Sequence, residues 1–238
     1  MEGARSAGDA LNGARSPTRE AATVWSCVIG GLAVLQLLGH WVPLVRGLVG
    51  AVAVAAFLYV PIRFLERRGQ DSRDAGWRFD RLGRDLAWSL GACAVVLPLF
   101  AAGYVLFMKW AAHLPAETRW WLTPRVPDQP FHFRVPLDWD LAGQVAGNAA
   151  VAFSEEFFYR GYMTLRFEER WGPVRSALAA AALFALGHLL TPAPWRLAVF
   201  VPALLFAWLR NRTGTIVGAS VAHFLCNVCL LLLERSAY

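Results

Sequence analysis

A chain of 238 residues that is 57% hydrophobic and only 17% charged falls short of the roughly 25% charge of a water-soluble domain, and its mean hydropathy is +0.41. That balance excludes an ordinary soluble protein and points to a polytopic membrane protein lying in the lipid bilayer. The net charge of +6 rests on 22 arginines and one lysine; no basic cluster is interleaved with aromatics on a polar surface, so nucleic acid is excluded as a partner, and the charge reads as loops anchored to an anionic membrane face.

Residues 1–20 are rich in Gly, Ala, Ser and Arg without apolar periodicity and read as a disordered cytoplasmic tail. The apolar run at 22–44 is too long for a signal-peptide core and lacks a small-residue cleavage site, so it reads as a retained first span. Further runs of span-like character follow at 46–63, 86–108, 139–163, 174–191, 196–210 and 215–233, where a span needs about 20 mostly apolar residues. The expected fold class is all-α: a polytopic membrane helix bundle of about seven transmembrane helices with the active site inside the bundle. Segment 111–138 holds five prolines and the aromatic clusters "RWW" and "FHF", and reads as an outer loop lying on the membrane interface. With the N-terminus inside, the inner loops carry fifteen arginines and the outer loops seven basic residues, as the positive-inside rule requires. The bias toward arginine over lysine suggests a GC-rich coding preference, and the compact chain reads as a multi-pass protein of a bacterial inner membrane with a cytoplasmic N-terminus.

Ionisable groups inside a span are costly, about 2.5–3.5 kcal/mol each on insertion scales, and three predicted helices carry them. The first holds Glu155, Glu156 and Arg160, the second His188, the third His223 and Asn227. Glu156 and Arg160 are i,i+4 in the favourable order for an ion pair. Glu155 is rotated from Glu156 by about 100° and has no cation on its own helix. Phe184 with His188, and His223 with Asn227, are likewise i,i+4 pairs, so each helix can turn polar groups toward a common centre. Each group alone also has a structural reading: an ion-pair staple, a packed histidine, an asparagine as interhelical glue. Together they form a hydrolytic set. A carboxylate can act as general base on water and later as general acid, a histidine can hold the same water, and a His–Asn pair can donate hydrogen bonds to a developing oxyanion.

Other chemistries fit less well. There is no H-E-x-x-H and no G-x-S-x-G elbow; Ser154 beside Glu155 is not a serine–histidine arrangement. Two histidines and a glutamate are also a zinc-type donor set. The four cysteines, including "CNVC" at 226–229, lie in apolar stretches and read as fillers. His40, His113 and His132 sit at span ends or in the outer loop and carry no assigned role.

The order "EEFFYR" at 155–160, "FALGH" at 184–188 and "HFLCN" at 223–227 resembles the CPBP family of intramembrane proteases, also called the CAAX protease and bacteriocin-processing or Abi family, which includes the type II CAAX prenyl endopeptidases. The resemblance covers roughly 140–232 and implies a catalytic core at 136–234, preceded at 21–135 by transmembrane helices and the interfacial loop. It implies a glutamate-dependent endopeptidase with Glu155 as general base, His188 as its partner on the water, His223 and Asn227 as the oxyanion hole, and Glu156 and Arg160 as positioning groups. Members are discussed both as metal-dependent and as metal-free; the reading here uses no cofactor. The implied substrate is a membrane protein or lipidated peptide cut near its terminus, a bacterial C-terminal sorting signal being one form. Gly187 beside His188 and the Cys within "HFLCN" are local departures. A proton-coupled transporter and an inactive membrane scaffold are the competing readings.

Overall fold

The computed structural model describes residues 16–123, 131, 134–135, 137–191 and 193–237, and every regular element among them is helical. The helices are α1 (Pro17–Leu38), α2 (Pro43–Glu66), α3 (Leu82–Ala111), α4 (Ala116–Leu122), α5 (Trp139–Glu156), α6 (Thr164–Glu168), α7 (Pro173–Gly187), α8 (Phe200–Thr213) and α9 (Val217–Ala237). A π-helical segment, Phe157–Met163, joins α5 to α6 without a break. Each of the seven stretches expected to be helical is helical over most of its length, the first ending at Leu38 before a turn that leads into α2 at Pro43. The first begins at Pro17 rather than residue 22, because proline with its fixed φ suits the first helical turn. The rest of the expected tail, residues 1–15, lies outside the described residues, as does much of the outer loop, including His132. Within that loop the described residues include α4, a short helix with Trp120 and Trp121 exposed.

Five helical stretches among the described residues are long and apolar enough to cross a bilayer: α1, α2, α3, Pro173–Leu190 and Val217–Ser236. The expected seven are thus five by length and composition. The physical reasons differ for the other two. The α5 stretch carries Asp140, Glu155 and Glu156, and α8 has only 14 residues. The continuous run from Trp139 to Glu168 is nevertheless about 45 Å long at 1.5 Å per residue, and it is the spine of the fold.

The spine packs against α1, α2, α7, α8 and α9, while α3 stands outside against α8 and α9. Phe157, Phe158, Tyr159, Tyr162 and Met163 are buried and share one apolar core with Ala21, Val24, Val28 and Leu32 of α1, Phe57 and Leu65 of α2, and Phe184 of α7. Outward, Leu37, Leu44, Tyr59, Leu90, Val95, Leu99 and Leu106 are exposed. A belt of bare aliphatic surface of this kind is suited to lipid rather than water.

The two ends of the bundle differ. At one end, Arg68 pairs with Glu20 (2.8 Å) and Glu169 (3.5 Å), and Arg210 pairs with Glu168 (2.6 Å). There Tyr162 donates to Glu20 (3.0 Å), and buried Asp85 accepts from the Thr215 hydroxyl (2.5 Å). The loop after α2 closes this end. Ala75 is fully buried, the Ile216 N–H donates to the Gly76 carbonyl, and Gly161 lies so close to Ala75 that a Cβ there would stand 2.9 Å from its carbonyl oxygen. At the other end Asp138 caps α5 by accepting from the Leu141 N–H (2.7 Å), and Arg235 pairs with Asp138 and Asp140. The Leu141 N–H, helped by Arg235, holds the Asp138 carboxyl below the usual carboxylate range.

Candidate active site

The spine, α7 and α9 bring their polar groups together around Phe184 and Phe206. Glu156 is fully buried, and its Oε1 accepts from two donors: Arg160 Nη1 at 2.9 Å and His223 Nδ1 at 2.8 Å. Arg160, 1% exposed, gives its second amino group to the Ala203 carbonyl at 3.0 Å. Its guanidinium lies over the Phe184 ring at 4.5 Å and near Phe206 at 5.3 Å. His223 stacks on Phe206 with centroids 4.7 Å apart and meets Phe184 edge-on. Aromatic faces so placed stabilise cations that have left water.

With Nδ1 committed to Glu156, the free ring nitrogen of His223 faces the neighbouring carboxylate: Nε2 lies 3.7 Å from Glu155 Oε2. The adjacent glutamates therefore have different surroundings. Glu156 is an enclosed anchor. Glu155 is partly open and lines a cavity of about 230 Å³ together with His188, Tyr159 and Gly187. His188 donates from Nδ1 to the Phe184 carbonyl at 2.9 Å, since a carbonyl can only accept. In the neutral ring this leaves the Nε2 lone pair free, an arrangement that fixes tautomer and ring orientation. Asn227, one turn beyond His223 on α9, is half-buried and is not among the cavity-lining residues; neither are Glu156, Arg160 and His223. Among the described residues no group of three His, Cys, Asp or Glu is arranged to hold a metal ion. All four cysteines are free.

Some contributors escape a motif reading. The residues directly after Glu156 are wound as a π-helix, a form that recurs at functional sites. The Thr164 N–H and hydroxyl both reach the Tyr159 carbonyl five residues back, which satisfies the widened turn. Tyr159 sits beside Glu155 in the cavity wall, and its hydroxyl accepts from Trp25 Nε1 of α1 at 3.3 Å. The signal for it was present, because Glu155 and Tyr159 are i,i+4. Gln36, Thr191 and Arg196 complete the polar part of the wall; they lie on other elements and outside every motif.

Gly187 has a local cause. A Cβ at this position would stand 2.8 Å from the Tyr159 hydroxyl oxygen, so the residue before His188 has no room for a side chain. Gly187→Ala is expected to push Tyr159 and the start of the His188 turn apart. A shift near 1 Å at a reacting centre costs on the order of 10²-fold in rate. Turnover measured beside the thermal midpoint checks this: the rate should fall far more than stability does.

Residues 138–229 match a family model described as Rce1-like, type II CAAX prenyl endopeptidase Rce1-like. The matched range contains all three polar motifs. Searches of curated proteins and of solved structures find no match to the chain.

Proposed function

From the match of residues 138–229 to the Rce1-like type II CAAX prenyl endopeptidase model, we propose that the chain is an intramembrane endopeptidase. In this reading it cuts a membrane-associated protein or peptide near its terminus, with water activated by Glu155 as nucleophile. The observation that carries this reading is the division of labour between neighbouring glutamates: one carboxylate locked in an ion pair, the other facing a cavity with a histidine whose Nε2 is free.

Water held between Glu155 and His188 Nε2 gives its proton to Glu155 as it attacks the peptide carbonyl. Glu155 then returns the proton to the leaving amine, and no covalent enzyme intermediate forms. His223 is held by Glu156 through Nδ1 and is assigned to the developing oxyanion through Nε2. Asn227 is assigned the second oxyanion donor, one turn along the same helix face. No metal ion is required in this scheme. In this reading a bacterial C-terminal sorting signal is one form of the substrate, and the membrane is a bacterial inner membrane.

The test compares membrane-protein termini by mass spectrometry in cells carrying the wild-type chain or Glu155→Ala. A defined set of proteins should keep a terminal segment in the variant. An unchanged set of termini, with the variant present and folded in the membrane, would remove the protease reading.

A further inference from the structure

We propose that the catalytic cavity opens on the membrane face opposite the arginine-rich end, so that the substrate is a peptide segment already translocated across the membrane. The catalytic part of this inference rests on the endopeptidase reading; the location of the opening does not.

The position of the cavity follows from where its walls lie along each helix. Gln36 is two residues from the end of α1, and Val49 is six residues into α2, about 9 Å from its start. Leu190, Thr191 and Arg196 belong to the connection between α7 and α8, at that same end of the bundle. Glu155 forms the deep part. It is about 24 Å from the start of α5 and about 20 Å from the end of α6, close to mid-depth. None of the lining residues comes from the end where Arg68, Arg166 and Arg210 gather.

The arginine-rich end is closed by its packing. Tyr162, Met163, Leu65 and Ala75 are all fully buried there. The backbone of the 67–81 loop bonds to the start of α9, and Gly161 touches it with no space for a methyl group. Water and substrate therefore reach Glu155 from the Gln36, Thr191 and Arg196 side. Those three side chains supply a polar mouth for a peptide backbone in an otherwise apolar wall, and Arg196 Nε is buried with no hydrogen-bond partner among the described residues.

Orientation turns the opening into a substrate class. Short loops rich in arginine stay in the cytoplasm, which puts the closed end inside and the mouth outside. The mouth beside Gln36, Thr191 and Arg196 then faces the exported side of a membrane-anchored protein, away from a cytosolic C-terminal tail.

The experiment uses the full chain with its four cysteines replaced by serine or alanine, carrying either Thr191→Cys at the mouth or Arg73→Cys at the closed end. Each is expressed in a bacterial host and exposed to a membrane-impermeant maleimide in spheroplasts and in inverted vesicles. The expected result is labelling of Thr191→Cys in spheroplasts only and of Arg73→Cys in inverted vesicles only. Labelling of Thr191→Cys only in inverted vesicles overturns the proposal. Labelling from neither side, when the detergent-unfolded protein does label, overturns it too. This readout needs no activity, so it stands or falls separately from the comparison of termini. If those termini identify substrates, their cuts should map to translocated segments; cuts in cytosolic tails would refute the assignment.

Discussion

Glu155→Gln should lower turnover by about 10²–10⁴-fold, the usual contribution of a positioned general base, while leaving the fold intact. The amide keeps the size of the side chain and loses the ability to take a proton from water. Its structural cost is small because the carboxylate is partly open to the cavity and its ion-pair contact, His223 Nε2, stands at 3.7 Å. A purified, reconstituted variant is to be assayed on a substrate found through the comparison of termini, beside a thermal melt in the same detergent. Wild-type turnover in a well-folded Glu155→Gln protein would remove Glu155 from the chemistry. A large fall in melting temperature would instead make it a structural residue.

How much of this could be read from the chain varies with the range of the interaction. The helices were legible because apolar runs of span length have few alternatives, and the i,i+4 spacing of Glu156 and Arg160 correctly anticipated their ion pair at 2.9 Å. The count of spans was less legible, since the stretch that carries the polar residues is by that very fact the least apolar, and α8 is shortened by the 3₁₀ segment Pro194–Val199 before it. The π-helix over Phe157–Met163 cannot be seen by assuming 3.6 residues per turn. The tie between His223 and Glu156 joins positions 67 apart. Nothing local in "HFLCN" shows which carboxylate its histidine will meet. The motif reading paired Glu156 with Arg160 and made both positioning groups; the structure adds His223 as a second donor to the same Glu156 oxygen. Arg196 and Gln36 entered only when the cavity wall was assembled from α1, α2, the spine, α7 and the connection that follows α7. Gly187 reads as a departure in the sequence, and its reason appears only once the Tyr159 hydroxyl is in place.

The neighbouring substitution, Glu156→Gln, is expected to have the opposite profile, a loss of stability first. Glu156 and Arg160 are 0% and 1% exposed at the side chain, and removing one partner of a buried pair costs about 3–5 kcal/mol because an uncompensated charge remains. The glutamine still offers an oxygen to Arg160 Nη1 and to His223 Nδ1, so hydrogen bonding is largely kept and the lost quantity is charge. Arg160, held under Phe184 and Phe206 and bonded to the Ala203 carbonyl, has no second carboxylate at ion-pair distance among the described residues. The double variant Glu156→Leu with Arg160→Met separates stability from function. Replacing both charges by apolar groups of similar volume is often neutral or stabilising, so the double variant should melt well above Glu156→Gln. It should remain inactive, because His223 has lost the acceptor that turns its Nε2 toward Glu155. Melting midpoints in detergent and processing of an identified substrate check both statements. A Glu156→Gln protein that melts like wild type would show that the pair carries little stability. An active double variant would show that His223 does not depend on Glu156.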